Sequence, residues 1–448
     1  MSERRDALLR SFRANEDIIN ERLHHTIEND RKGTAAFWIV DENGSPVPNA
    51  RVRVKLRDHD FKLGANIFML DEFECAEKNA VYRDTFSRIF NLATVPFYWS
   101  DLEPEMGKPR FDKSSPRIYR RPAPDLCVEY CEEKRITPKA HCLNYDVWSP
   151  MWLPDDTTSV KFYLDKRMAE CAERYRTRIP GWEVTNELFC GHYHTYAQKR
   201  HATSFFWDEN VVEWSFETAH RYFPTNELII NEASHCWTSL FDHQRGQYYM
   251  QIERALMKGA PIDAVGMQFH MFFRAEDELR ATAPYYDPMH LYNVMDTYGR
   301  LGLAQQITEV TIPCYTDSEA DEELQAELLE YLMKVWFSNP KMEAVVYWNF
   351  VDGYAAFAPQ GDMKAGENYY RGGLMRFDMT PKPAVAALSR LFGETWHTET
   401  EVVCGADGGG AFRGFFGRDD VEIEVGGRIT TTELHLTKNS ENRFRVVG

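Results

Sequence analysis

The sequence predicts an α/β chain. Its core is a (β/α)8 (TIM) barrel, joined to a small accessory β-sandwich built from the N- and C-terminal segments. Three observations predict it. Eight apolar, strand-like runs alternate with stretches of helical spacing. Polar residues gather where those runs end. Short strand-like runs set off by turns, one of them alternating with period two, lie near both termini. The 448 residues and the 43% hydrophobic share suffice for a barrel plus a smaller unit.

Residues 1–30 form a polar helical segment, and residues 31–60 the N-terminal β segment. Ala35–Val40, the turn Asp41–Pro46 and Ala50–Leu56 read as a β-hairpin. Residues 61–395 carry the barrel. Its strands are expected at Phe61–Phe68, Leu92–Phe97, Ile136–His141, Gly181–Thr185, Leu228–Asn231, Ala264–Phe269, Ala304–Thr308 and Ala344–Phe350. Phe162–Arg178 and Glu322–Phe337 are helical in spacing. Residues 396–448 supply the other half of the sandwich, with strands at Phe412–Gly417, Val421–Val425 and Thr432–Leu436. A doubly wound sheet is the alternative, but no Gly-rich phosphate loop follows the first strand.

Composition excludes some function classes. The net charge of −17 opposes nucleic-acid and anionic-membrane partners, which need a basic face. The aromatic share of 14% suits sugar stacking, and equally a large aromatic core. Nine cysteines lack a disulfide framework and read as reduced thiols. Cys127 and Cys131 are four apart on a helix with no second pair to complete a metal site. Met1–Asn20 is charged and has no apolar run, so the expectation is a cytoplasmic protein without signal peptide or membrane span. No metal or cofactor is expected.

The strand ends carry the chemistry. They are His141, Asn186-Glu187, Asn231-Glu232, Gln268-Phe-His270, Glu309 and Trp348-Asn349 followed by Asp352. In a barrel these converge on one mouth. Glu187 and Glu309, after the fourth and seventh strands, face each other there. A carboxylic acid paired with a carboxylate is what glycosidic-bond cleavage needs, and proximity raises one pKa. Asn186 is placed to bond a sugar 2-OH. Asp352 and Glu232 read as sugar ligands or as ordinary supporting groups. Cys190-Gly-His-Tyr-His194 reads as a loop on the substrate rim, since no second ligand set accompanies it.

These motifs resemble glycoside hydrolase family 10 over residues 61–393. Trp182-Glu-Val-Thr-Asn-Glu187 is similar to the family's acid/base motif, and Ile307-Thr-Glu-Val310 to its nucleophile motif. His141–Leu153, Trp99–Gly107, Gly266–His270 and Phe377–Ala384 follow the family pattern in the same order. The resemblance implies that Glu187 is the acid/base and Glu309 the nucleophile of a retaining β-glycosidase. It implies that His141 and Gln268 contact the sugar before the cut, that His270 holds Glu309, and that Trp348 floors the site. Carbohydrate is then the partner. The chain departs from the family at Val95, Tyr98, Tyr145, Asp146 and Thr311, and has Ala356 next to Phe357 where the family has a second Trp. Tyr98, Tyr145 and Asp146 are expected to contact substrate in place of the family's Lys, Trp and His. Thr311 for Asp breaks the expected Glu–His–Asp chain. Three substrate readings stay open: a xylanase-like hydrolase, a retaining hydrolase of another β-glycan or glycoside, and an inactive carbohydrate-binding barrel.

Overall fold

The computed structural model describes residues 2–189, 203–238 and 244–448. The Cys190–His194 segment lies outside the described residues. Two helices, Ser2–Ala14 and Glu16–Thr26, lead into strands β1 (Lys32–Val40) and β2 (Arg51–His59). The barrel strands are β3 (Lys62–Asn66), β4 (Leu92–Pro96), β5 (Thr137–Asn144), β6 (Gly181–Asn186), β7 (Glu227–Glu232), β8 (Ala264–His270), β9 (Ala304–Thr311) and β10 (Met342–Tyr347). They close in sequence order, with β10 returning to β3. Every neighbouring pair is parallel. All eight runs read from the sequence are strands of this barrel, with ends shifted by a few residues.

The two helices expected at Phe162–Arg178 and Glu322–Phe337 run over Thr157–Tyr175 and Glu319–Phe337. They start earlier than hydrophobic spacing suggests because caps set their first turns. The Asp156 side chain accepts from the Ser159 N–H, and the Ser318 side chain from the Asp321 N–H. Among the described residues no helix is long and apolar enough to cross a membrane.

The chain ends meet in two sheets. The C-terminal strands are β11 (Glu399–Val403), β12 (Gly409–Phe415), β13 (Gly417–Val425), β14 (Arg428–Leu436) and β15 (Arg443–Val447). One sheet is ordered β12-β1-β15 and the other β11-β2-β13-β14. Phe37 and Ile39 of β1 share one apolar core with Val52 and Val54 of β2 and Val421 and Ile423 of β13. The expected β1–β2 hairpin does not form, because the two strands belong to opposite sheets. Alternating burial marks one inward face per strand. It does not name the neighbour, and here both strands pair instead with C-terminal strands.

Candidate active site

The C-terminal strand ends enclose a cavity of about 530 Å³. Glu187, Glu309, His141, Gln268, His270, Trp348, Tyr98 and Tyr145 all line it. Asn186, adjacent to Glu187 and 3.4 Å from the Gln268 amide nitrogen, is buried at its edge, and Asp146 is buried outside its lining. Glu187 follows β6 with φ of 50°, a left-handed turn that lifts its side chain off the strand. Glu309 sits deeper, inside β9 and 5% exposed.

Gln268 ties the two carboxylates together. Its amide nitrogen donates to Glu187 Oε1 at 2.8 Å and to Glu309 Oε1 at 3.2 Å. Those two distances cap the separation of the facing oxygens at about 6 Å. The Tyr145 hydroxyl donates to the other oxygen of Glu187 at 2.6 Å. Tyr145 therefore contacts the carboxylate directly.

Behind Glu309 the expected break at Thr311 is not a gap. His270 Nε2 lies 2.9 Å from Glu309 Oε2, and His270 Nδ1 lies 2.9 Å from Thr311 Oγ1. Thr311 donates its only proton to the Trp348 carbonyl at 2.6 Å. Its oxygen therefore accepts from Nδ1–H, and Nε2 presents its lone pair to Glu309. Proton affinities agree with that assignment. Burial pushes His270 down to about 4, which keeps it neutral. Burial pushes Glu309 well above the carboxylate range, with the Glu187 charge adding to the rise and the His141 charge opposing it. A protonated Glu309 then donates to Nε2. The deep carboxyl is thus a raised one.

A buried charged layer underlies the site, and sequence reasoning missed two of its members. Lys139 Nζ pairs with Glu183 Oε1 at 2.5 Å, and His141 Nδ1 bonds Glu183 Oε2. Burial alone would raise Glu183, but Lys139 and His141 bring it down to about 2. Burial likewise opposes charge on His141, yet the Glu183 carboxylate overrides it and raises the imidazole. His141 Nε2 then donates to the Tyr98 hydroxyl at 3.0 Å. A charged residue in the middle of a central parallel strand was the available signal, since such strands are otherwise apolar. Asn231 spans the same layer, donating to Glu183 at 3.3 Å and to Asn186 Oδ1 at 2.7 Å. Gly266 makes room for it, because a Cβ there would stand 2.5 Å from Asn231 Oδ1.

One wall of the cavity carries further residues, among them Trp148, Arg120 and Arg121, to which sequence reasoning gave no role. Trp148 stacks on Phe357 (5.8 Å, 20°) and lies against Tyr98 (4.6 Å). Arg120 and Arg121 line the same wall. Only proximity in the fold reveals them, since they fall in an irregular stretch between helices. Asp352 and Glu232 are both buried, and neither lines this cavity. Asp352 is buried on Lys382 at 2.6 Å and accepts from the Gly373 N–H at 2.7 Å. Glu232 accepts from the N–H groups of Ala233 and Phe189, and burial raises it to about 8.

Known proteins are similar to this chain in sequence and in fold. Anti-sigma-I factor RsgI6 of Acetivibrio thermocellus is 24% identical over 431 residues, covering 92% of this chain and 47% of its own. Endo-1,4-beta-xylanase 2 of Arabidopsis thaliana is 24% identical over 328 residues, covering 71% of this chain and 27% of its own. The chain thus spans less than half the length of both. Endo-1,4-beta-xylanase B of Thermotoga neapolitana is 24% identical over 360 residues, covering 78% of this chain and 92% of its own. The crystal structure of xylanase 10B from Thermotoga petrophila in complex with xylobiose superposes with a TM-score of 0.57 at 19% identity. It covers 75% of this chain and 95% of that one, a likeness of fold. The model of "Glycosyl hydrolase family 10" matches residues 69–388, a span that runs through both carboxylate-bearing strand ends and the cavity between them. The chain belongs to glycosyl hydrolase family 10.

Proposed function

We propose that this chain is a retaining, xylanase-like β-glycoside hydrolase that cleaves a β-linked oligo- or polysaccharide by double displacement. Glu187 is the acid/base and Glu309 the nucleophile. The observation that carries this reading is the single Gln268 amide nitrogen bonded to both carboxylates, at 2.8 and 3.2 Å. Retention needs carboxyl groups about 5–5.5 Å apart, whereas inversion needs about 6.5–9.5 Å to admit a water. Facing oxygens held within about 6 Å suit direct attack.

The reacting state has Glu309 ionised and the proton on Glu187; in the first step Glu309 attacks the anomeric carbon and forms the glycosyl-enzyme ester. Glu187 protonates the leaving oxygen as the glycosidic bond breaks. Glu187 then takes a proton from water, which attacks the same carbon and releases Glu309. Tyr145 steers Glu187 by its hydroxyl. Asn186 has its oxygen occupied by Asn231, while its Nδ2 has no partner among the described residues and is the donor for a 2-OH. Trp348, edge-on to Phe68 at 5.2 Å, floors the sugar.

The test is the anomer of the first product, followed by NMR during hydrolysis of a β-xylo-oligosaccharide. β-Anomer first is expected, and α-anomer first overturns the retaining assignment. Glu309→Gln should lower kcat on aryl β-glycosides by a factor on the order of 10³ or more. An undiminished kcat would remove Glu309 from the nucleophile's role. A substrate other than plain xylan is a second reading. It is favoured by Tyr98, whose hydroxyl on His141 offers sugar hydroxyls a neutral group.

A further inference from the structure

We infer that the cavity wall around Phe68 is an acidic-sugar subsite that binds the carboxylate of a hexuronic acid carried by the substrate. This rests on the glycosidase reading above and names its substrate class. In a chain of net charge −17, three cationic groups surround one apolar ring. The guanidinium carbons of Arg120 and Arg121 stand 5.6 and 5.4 Å from the Phe68 ring centre, and the His141 ring stands 6.4 Å away. All four residues line the cavity.

Two of the three cations are already matched. Arg121 pairs with Asp101 at 2.8 Å, and His141 with Glu183. Arg120 is not. It is 2% exposed, and among the described residues no carboxylate lies within ion-pair distance of it. Its Nη groups donate to neutral acceptors, the Tyr354 carbonyl and Asn349 Oδ1 at 2.6 Å, and its buried Nε has no partner. Burial pulls its guanidinium pKa down, with the Arg121 charge adding; Glu367, which Asn349 holds away from direct pairing, only partly offsets this. A desolvated guanidinium fork on a cavity wall is the group that recognises a carboxylate bidentately. A neutral xylose offers no such anion. A hexuronate does, and it would complete the charge that the fold leaves open.

Two matched pairs test the proposal. The first is xylotriose against the same trisaccharide bearing a glucuronic acid branch, with binding measured by calorimetry on Glu309→Gln protein. The second is 4-nitrophenyl β-xyloside against 4-nitrophenyl β-glucuronide, measured as wild-type kcat/KM. The acidic member of at least one pair should be preferred by about tenfold or more in low salt, a preference that shrinks as ionic strength approaches about 0.5 M. Arg120→Gln should bring that ratio close to unity, with folding checked by thermal melting. Arg121→Gln should lower it less, because Asp101 already offsets its charge, and this variant serves if Arg120→Gln does not fold. No acidic preference in either pair overturns the subsite. Acidic preference in binding with no hydrolysis of any of the four compounds overturns the proposed activity and leaves the subsite standing.

Discussion

Glu309 and His270 share one proton, and Thr311 decides where it sits. Because the Thr311 hydroxyl is committed to the Trp348 carbonyl, His270 keeps its proton on Nδ1 and accepts from Glu309. A nucleophile must be ionised, so Glu309 has to lose its proton before it can attack. Its pKa is raised above the usual 4.5, so the ionised fraction grows only as pH rises through that higher value. The acid limb of kcat/KM, which reports the free enzyme, should therefore lie above the ordinary carboxylate range. A pH profile on an aryl β-xyloside checks it, and a limb centred at 4.5 or lower would count against the shared proton. Thr311→Val removes the acceptor for Nδ1–H. His270 can then turn its tautomer and donate from Nε2 to an ionised Glu309, so the acid limb should move to lower pH. The plateau kcat should change by less than about tenfold, because the reacting groups stay in place. An unmoved limb would mean that Thr311 only fills space.

At the scale of the element, β13 carries an inward carboxyl among apolar neighbours. Asp419 is fully buried opposite Leu56 and Leu434, and neither of its oxygens has a hydrogen-bond partner among the described residues. Burial, with the charges of Asp420 and Asp60 adding, lifts its pKa from 3.8 to about 7. A raised pKa means that the fold favours the protonated form. The associated stability is full below pH 3.8 and is lost as pH climbs through about 7. Asp419→Asn should then stabilise the protein by about 1–2 kcal/mol at alkaline pH and by much less near pH 4. Calorimetric melting at both pH values checks it. A difference independent of pH would show that Asp419 does not titrate with folding. The same strand explains why the β1–β2 hairpin expectation fails. β13 lies between β2 and β14, so the partner of β2 comes from some 370 residues further along the chain.

For the whole molecule, the N-terminal helices are tied to the barrel they precede. Leu8, Leu9, Phe12 and Ile19 are buried in the barrel's own core. Phe12 stacks on Tyr331 at 5.0 Å, and Arg4 bridges Glu278 at 2.6 Å and Asp321 at 2.5 Å. Arg31 then seats under Phe61 and Phe337 and donates to the carbonyls of Phe337 and Asn339. The segment therefore braces the barrel helix Glu319–Phe337 from outside. Phe12→Ala should cost about 3–5 kcal/mol of stability by leaving a cavity. KM, measured well below the melting temperature, should not change. A raised KM with unchanged melting would place this helix in the substrate's path instead of the barrel's support.

The sequence by itself determined the barrel and its mouth. Eight parallel strands are each read from a local apolar run, and the parallel-barrel rule then brings every strand end to one face. Glu187, Glu309, Gln268 and His270 were legible for that reason, since each needs only its own strand and a place at its end. Tertiary structure decided the rest. It set the exchange of β1 and β2 into opposite sheets, because pairing depends on strands hundreds of residues away. It brought Arg120 and Arg121 to Phe68 and Lys139 to Glu183, contacts that no local spacing encodes. It also chose a raised Glu309 carboxyl. That choice follows from burial, and only the fold sets how deep Glu309 lies.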